Sequence, residues 1–227
     1  VMKKLILPLL LLVAFGMLAA VESDPSEIVG YVKYPCVTGW NFNALPMDQG
    51  YTVISEVAGD YPAGNFTAVN YFDSALQSWA QSDFYDMGDP AFNFWDPDFS
   101  VGNGTPLWAY ATTPLNFYSI GSLHPTNAQY SLAAGFNTIM IPLNKSNITD
   151  IQVLGDNVGT LTAILRWDSA LQSWAQSDFY DMGDPAFNFW DPMFDTTIGM
   201  PLWVYSSAAT VWPASPRGAS VFGTTSK

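Results

Sequence analysis

The chain has very few of the side chains on which catalytic and metal centres most often depend. Its 227 residues include one cysteine, Cys36, and one histidine, His124. A single thiol cannot form an internal disulfide, so we expect Cys36 to be a small buried side chain in a strand. His124 has no nucleophile or metal ligand at a recognised spacing, which is typical of a residue in a linker between units.

Basic residues are also scarce, and this excludes two classes of partner. Seven lysine and arginine residues stand against twenty aspartate and glutamate residues, which gives a net charge of −13. Nucleic acids and anionic lipid surfaces both attract basic proteins, so we expect neither as a partner. With 49% hydrophobic and 15% aromatic residues, the composition is that of a globular protein rather than a disordered one.

The sequence also lacks the motifs of the familiar catalytic classes. It contains no nucleophile elbow, zinc-protease helix motif, phosphate-binding loop or dinucleotide-binding fingerprint. We therefore predict a protein that is not an enzyme and that has no cofactor, with Ca²⁺ as the one alternative.

Residues 1–20 have the pattern of a secretory signal peptide. Lys3 and Lys4 precede an apolar run over 5–18, and small residues follow at 19–20. The apolar run is shorter than the roughly 20 residues that span a membrane as a helix. We expect a protein that is secreted or held in the bacterial cell envelope, without a stable membrane span once the signal is removed.

A long internal repeat dominates the rest of the chain. The sequence DSALQSWAQSDFYDMGDPAFNFWDP occurs at 73–97 and again, without a single change, at 168–192. Self-similarity at a fixed offset indicates one structural unit built twice. An identical block between diverged flanks is explained equally by a recent exchange between the copies and by an error in assembling the sequence. The diverged flanks pair GWNFNALPM (39–47) with GFNTIMIPL (135–143), and GTPLWAY (104–110) with GMPLWVY (199–205).

The repeat defines the expected domain organisation. Each unit has about 95 residues, an ordinary size for a small domain. The predicted order after the signal peptide is a lead at 21–27, a first unit at 28–123, a second unit at 124–217 and a polar tail at 218–227.

We predict an all-β fold, with each unit a sandwich or barrel of six or seven strands and one helix of about two turns. In the second unit Asn147 is the expected helix cap, Asp150 lies in the first turn, and Gly155 is the expected end. In the first unit the corresponding helix starts near Thr52 and ends at Gly59.

Within each identical block we predict a hairpin followed by a loop. Asp73 begins the turn, and Trp79 on the returning strand should pack against Tyr71 or Phe72, as Trp174 should against Trp167. Residues 83–97 are rich in Asp, Gly, Pro and Asn, which favours a loop. The loop contains three large aromatic residues, Phe92, Phe94 and Trp95, and we expect other parts of the protein to cover them.

The motifs GWNFNALPM, FDSALQSW and PLWAY, with GFNTIMIPL, WDSALQSW and PLWVY, resemble a loose family of repeats found in secreted bacterial surface proteins. In that family a G-W-N-x-x-x-x-P strand precedes a W-D-x-x-x-x-x-W hairpin. The resemblance covers almost the whole chain after the signal. It implies an extracellular β-module of unassigned function, often an accessory part of a larger protein.

Two sets of side chains in the block are candidates for binding. Carboxylates three residues apart in a Gly-containing loop suit Ca²⁺, and they suit equally well the capping of turns in a solvated loop. A glycosidase carboxylate pair would require two active sites in one chain. The candidate metal ligands are Asp83, Asp86 and Asp89, with Asp178, Asp181 and Asp184 in the second copy.

The aromatic residues of the block are either stacking platforms for sugar rings or core residues. The candidate platforms are Trp79, Tyr85 and Trp95, with Trp174, Tyr180 and Trp190 in the second copy. The predicted function is accordingly that of an exported structural or adhesive repeat protein, with cell-surface proteins or glycans as partners. The alternative is a pair of carbohydrate-binding modules.

Overall fold

The computed structural model of the chain describes residues 29–123 and 128–213. The predicted signal peptide, lead, linker histidine and polar tail lie outside these residues. Among the described residues, no helix is long and apolar enough to cross a membrane.

The first unit contains seven strands and one short helix. Five strands form an antiparallel sheet in the order β2-β6-β3-β4-β5, and the other two form a separate ribbon, β1-β7. The elements are β1 (Val29–Cys36), β2 (Gly39–Ala44), α1 (Ile54–Gly59), β3 (Phe66–Asp73), β4 (Ser78–Tyr85), β5 (Phe94–Asp96), β6 (Pro106–Ala111) and β7 (Leu115–Ser122), with a 3₁₀ turn at Pro90–Phe92.

The second unit repeats this arrangement strand for strand. Its sheet has the order β9-β13-β10-β11-β12, and its ribbon is β8-β14. The fold is therefore all-β, with two similar units that each carry one short helix, as predicted. The elements are β8 (Tyr130–Leu132), β9 (Gly135–Met140), α2 (Ile151–Val158), β10 (Leu161–Asp168), β11 (Ser173–Tyr180), β12 (Phe189–Asp191), β13 (Pro201–Ser206) and β14 (Thr210–Trp212), with a 3₁₀ turn at Pro185–Phe187.

Each unit has its own core, made by the helix, the ribbon and one face of the five-stranded sheet. In the first unit Ile54 of α1, Val69 of β3 and Phe117 of β7 belong to one buried cluster. Cys36 belongs to the same cluster and is 4% exposed, as expected for a buried thiol. Burial raises the pKa of this thiol. The second core contains Ile139, Ile151, Leu154, Leu161, Ile164, Leu202, Val204 and Trp212.

The helix predicted for the second unit exists, but both of its predicted ends are wrong. The cap is Asp150, whose carboxylate accepts a hydrogen bond from the backbone N–H of Val153 at 2.9 Å. Gly155 lies inside the helix because it packs against Trp190, and a Cβ there would lie 2.6 Å from the indole nitrogen. The helix ends at Gly159, whose φ of +79° suits the left-handed cap.

The hairpin prediction is confirmed in both copies, whereas the predicted loop at 83–97 is too long. Its first three residues extend β4, and Phe94–Asp96 pairs with β4 as an edge strand. Backbone pairing with a neighbouring strand outweighs the turn-rich composition there. The expected cover is also absent for Phe92 and Phe94, which are 68% and 47% exposed.

Candidate functional site

The outer faces of the two sheets carry aromatic side chains that meet between the units. Trp79 of the first unit lies 5.7 Å from Trp203 of the second, and Trp174 of the second lies 6.0 Å from Trp108 of the first. These two pairs occupy equivalent positions, which is the reciprocal pattern of a two-fold interface. We call this set the inter-unit cluster; it comprises Trp40, Phe42, Phe72, Trp79, Trp108, Phe136, Trp167, Trp174 and Trp203.

A glutamine from each hairpin reaches across this interface. The amide oxygen of Gln77 accepts from the backbone N–H of Phe136 at 2.7 Å, and its amide nitrogen donates to the Phe136 carbonyl at 2.8 Å. Gln172 makes the same two bonds with Trp40, at 2.7 and 2.9 Å. Phe136 and Trp40 lie on β9 and β2, each at one edge of its sheet. Each hairpin therefore bonds to one residue at a sheet edge of the other unit.

The contact explains why both copies begin the GWN and GFN motifs with glycine. Gly39 and Gly135 have φ values of +107° and +112°. A Cβ on Gly39 would lie 2.5 Å from the amide oxygen of Gln172, and one on Gly135 would lie 2.3 Å from that of Gln77. Both positions need glycine for the backbone conformation and for the approach of the glutamine.

The six candidate platform residues fall into three different environments. Trp79 and Trp174 are half-buried in the inter-unit cluster, and each packs on its hairpin partner at 5.2 Å, as predicted. Trp95 is half-buried beside the first core, whereas Trp190 is 2% exposed inside the second. Such burial leaves no face of the Trp190 ring open to a ligand. Only Tyr85 and Tyr180 are largely exposed, at 45% and 46%.

Each exposed tyrosine belongs to a group of side chains on the outer face of the sheet. Tyr85 stacks on Phe94 with ring centroids 5.0 Å apart and an interplanar angle of 11°. Asp83 and Asp96 are cross-strand neighbours on the same face, and Gln81 donates to Asp83 at 2.7 Å. We call this group the block surface. Its second copy consists of Gln176, Asp178, Tyr180, Phe189 and Asp191, with the tyrosine and phenylalanine rings 5.1 Å apart.

The loop beside each block surface exposes more apolar area. Met87 is 61% exposed and Phe92 68%, and their counterparts Met182 and Phe187 have the same values. The side chain of Asn93 holds the loop by accepting from the backbone N–H of Met87 at 2.8 Å. The molecule therefore has two loops of identical sequence, each with exposed apolar side chains.

Four of the six candidate metal ligands hold turns, whereas Asp83 and Asp178 lie on strands. Asp86 accepts from the backbone N–H of Gly88 at 2.9 Å, and Asp89 accepts from that of Ala91 at 3.0 Å. Asp181 and Asp184 repeat these bonds, and Asp178 accepts from Gln176. Within 29–123 and 128–213, no group of three or more acidic, histidine or cysteine side chains is placed to hold a metal ion. Calcium binding stays a prediction.

The sequence analysis missed a cleft of about 480 Å³ in the first unit. One signal in the sequence is a difference between the copies: Tyr51 and Tyr61 have no tyrosine counterpart in the second copy, where 145–158 contains none. Its lining residues come from three separate parts of the chain: Gln49, Tyr51, Asp60, Tyr61, Tyr118 and Ile120.

Comparisons of the chain with protein families, with curated proteins and with solved structures give no match.

Proposed function

We propose that the protein is a non-enzymatic adhesive protein of the bacterial cell surface or extracellular space, bivalent through its two block surfaces. The observation that carries this proposal is the duplication of one exposed surface. Tyr85 and Tyr180, and likewise Phe94 and Phe189, differ in exposure by no more than 3%. An exposed apolar surface of this kind is typical of an interaction site.

The inter-unit cluster supports bivalent binding because it fixes one unit against the other. Trp79 and Trp174 pack on aromatic residues of the opposite unit, and Gln77 and Gln172 bond to its backbone. Two identical sites at a fixed separation bind a repetitive target more tightly than either site alone, by roughly 10²–10⁴-fold when both engage. Cell walls and surface polymers are targets of this repetitive kind.

The resemblance to secreted bacterial surface repeats agrees with this proposal, as does the predicted signal peptide. The role of the block carboxylates also supports a non-enzymatic function. Asp86 and Asp89 are engaged with backbone N–H groups of their own loop, an arrangement that builds turns.

A second candidate function, carbohydrate binding, is favoured by the composition of the block surface. The Tyr85–Phe94 stack offers apolar ring area beside the oxygens of Asp83 and Asp96. Sugars present apolar C–H faces and hydroxyl groups together, and binding pockets for small molecules combine these same two features.

The test is a binding isotherm of the purified protein on isolated bacterial cell envelopes and on insoluble polysaccharides. We expect Tyr85→Ala and Tyr180→Ala each to weaken binding by more than tenfold, and the double variant to weaken it further. Tyr205→Ala, an exposed tyrosine on β13, is the control. Retention on pure polysaccharide favours the carbohydrate module, and retention only on protein-containing envelopes favours adhesion to protein. Binding that the double variant does not weaken would refute both candidates.

A further inference from the structure

The cleft of the first unit is built by three segments that fold together. Gln49 and Tyr51 follow β2, Asp60 and Tyr61 follow α1, and Tyr118 lies on β7 with Ile120 two residues further. Its volume of about 480 Å³ falls within the range of about 300–1,000 Å³ that is usual for small-molecule sites. The lining combines three tyrosine rings and one aliphatic side chain with a carboxylate and an amide.

The polar side chains of the cleft are held by one another. The hydroxyl of Tyr51 donates to the carboxylate of Asp60 and accepts from the amide nitrogen of Gln49 at 3.2 Å. The amide oxygen of Gln49 accepts in turn from the hydroxyl of Ser119 at 2.8 Å. Because every member of this network is anchored, the groups that line the cleft are oriented before a ligand arrives.

The network leaves hydrogen-bonding capacity of both kinds at the cleft. The hydroxyl of Tyr61 accepts from the backbone N–H of Tyr118 at 2.7 Å, and its own proton donates to no other described residue. Gln49 has a second N–H, and Asp60 has a second carboxylate oxygen, that make no bond with the part of the chain that the structure describes. Two donors and one acceptor therefore stand beside exposed ring and aliphatic surface.

We propose that this cleft binds one or two residues of a neutral saccharide. The ring of Tyr118, which is 37% exposed, and the side chain of Ile120, which is 52% exposed, would contact the C–H face of the sugar. Tyr61 and Gln49 would donate to its hydroxyl oxygens, and Asp60 would accept from a hydroxyl group. This site lies apart from the block surfaces and does not depend on their proposed adhesive function.

Other ligand classes fit the cleft less well. An anion would meet the carboxylate of Asp60 in a chain whose net charge is −13. A quaternary ammonium ion would use the rings and the carboxylate, but it would leave the donors of Tyr61 and Gln49 without a function. A neutral sugar uses all of these groups.

The tyrosines of the cleft that follow β2 and α1 are not repeated in the second unit. The backbone N–H of Thr196 donates to Thr149 as that of Val101 donates to Thr52, so Ile148 lies where the first unit has Tyr51, and it is buried in the second core. No tyrosine occurs at 145–158, and Asn157 in that segment accepts from the indole N–H of Trp212 at 2.9 Å. The first unit therefore provides a recognition site that the duplicated block does not contain.

The test uses the full chain and two-dimensional ¹H–¹⁵N NMR spectra. The titrants are the methyl glycosides of glucose, galactose, mannose and N-acetylglucosamine, with choline as a cationic comparison. We expect at least one glycoside to shift the backbone amide of Tyr118 saturably, because that amide donates to the Tyr61 hydroxyl. No shift with any glycoside, or a saturable shift with choline alone, would overturn the proposal.

Variants then locate the site. Asp60→Ala and Tyr118→Ala should each weaken the observed affinity by at least about tenfold, a loss of about 1.4 kcal/mol. Tyr205→Ala, a tyrosine of β13 with a similar exposure of 39%, and the double variant Tyr85→Ala/Tyr180→Ala should leave it unchanged. Because Tyr118 is exposed, its variant should keep the wild-type unfolding midpoint. Affinity that is lost only in the block double variant would assign sugar binding to the block surface and overturn this inference.

Discussion

The side-chain amide of Gln77, in the first unit, makes both backbone hydrogen bonds of Phe136, in the second unit. Gln172 does the same for Trp40 in the reverse direction. Because the two glutamines belong to the identical block, one sequence element serves two purposes. It joins the units, and it carries the exposed surface that we propose as the adhesive site.

We predict that Gln77→Ala and Gln172→Ala each destabilise the protein by about 1–3 kcal/mol, because each loses two hydrogen bonds to backbone groups at a sheet edge. The measurement is the free energy of unfolding from urea denaturation. The matched control is Gln176→Ala, an exposed glutamine of the same block whose amide donates to Asp178 and to no other residue within 29–123 and 128–213. It should change stability by less than about 0.5 kcal/mol. Equal effects of Gln172→Ala and Gln176→Ala would contradict the role of the inter-unit bonds.

We predict that Gly39→Ala and Gly135→Ala are more destabilising than Gly88→Ala. All three positions have positive φ, but a Cβ on Gly88 would meet nothing within 4 Å. Gly88→Ala should therefore show the conformational cost alone, about 1–2 kcal/mol. The other two variants should add the displacement of a glutamine amide, which thermal or urea unfolding would detect. Equal stability of the three variants would show that the close approach of the glutamine to the glycine does not affect stability.

The local features of the fold were predictable from sequence, and the long-range ones were not. The hairpin turn depends on Asp73, whose carboxylate accepts from the backbone N–H groups of Ala75 and Leu76, and such a turn is encoded within a few residues. Gln77 has a φ of +52° and bonds to a residue 59 positions away. The residues next to Gln77 in the sequence contain no signal for a partner so far along the chain.

Identical sequence did not give identical burial, and this limited the prediction of the site. Trp95 and Trp190 occupy the same position in the two copies, yet one is half-buried and the other is 2% exposed. The difference comes from outside the block, where Gly155 of the longer helix admits the Trp190 ring. The cleft of the first unit was missed for a similar reason, since Tyr51 and Tyr118 are brought together only by the fold.

We predict that Trp174→Ala lowers the free energy of unfolding by about 3 kcal/mol. This value is at the low end of the usual range for the loss of a large aromatic core residue, because the Trp174 ring is only half-buried. The ring contacts Trp167 of its own hairpin and both Phe42 and Trp108 of the other unit. Leu171→Ala, on the same hairpin and 74% exposed, is the control. An unchanged denaturation midpoint in Trp174→Ala would show that the ring does not hold the units together, and it would return Trp174 to the set of candidate sugar platforms.

We predict that stability falls in alkaline solution. Burial raises the pKa of Tyr61 to about 12 and also raises the pKa values of Tyr34, Tyr51 and Tyr130, compared with about 10 in an unfolded chain. These groups keep their protons longer in the folded state, so their contribution is complete below about pH 10 and is lost as the pH rises through the folded pKa values. Urea denaturation between pH 9 and about pH 12 measures this slope.

The variant Tyr34→Phe provides the check on that slope. It removes one buried hydroxyl, which donates to the Gly199 carbonyl at 2.7 Å, and it should make the fall in stability above about pH 10 less steep. A free energy of unfolding that stays constant to about pH 12 in the wild-type protein would contradict the prediction.

Hydrogen exchange of two backbone amides tests most directly the claim that the duplicated hairpins join the units reciprocally. The amides of Trp40 and Phe136 lie on edge strands, and their partners are the side chains of Gln172 and Gln77. In the wild-type protein both amides should exchange slowly. Gln172→Ala should make only the Trp40 amide exchange fast, and Gln77→Ala only that of Phe136. Fast exchange of both amides in the wild-type protein, or no change in either variant, would contradict the account.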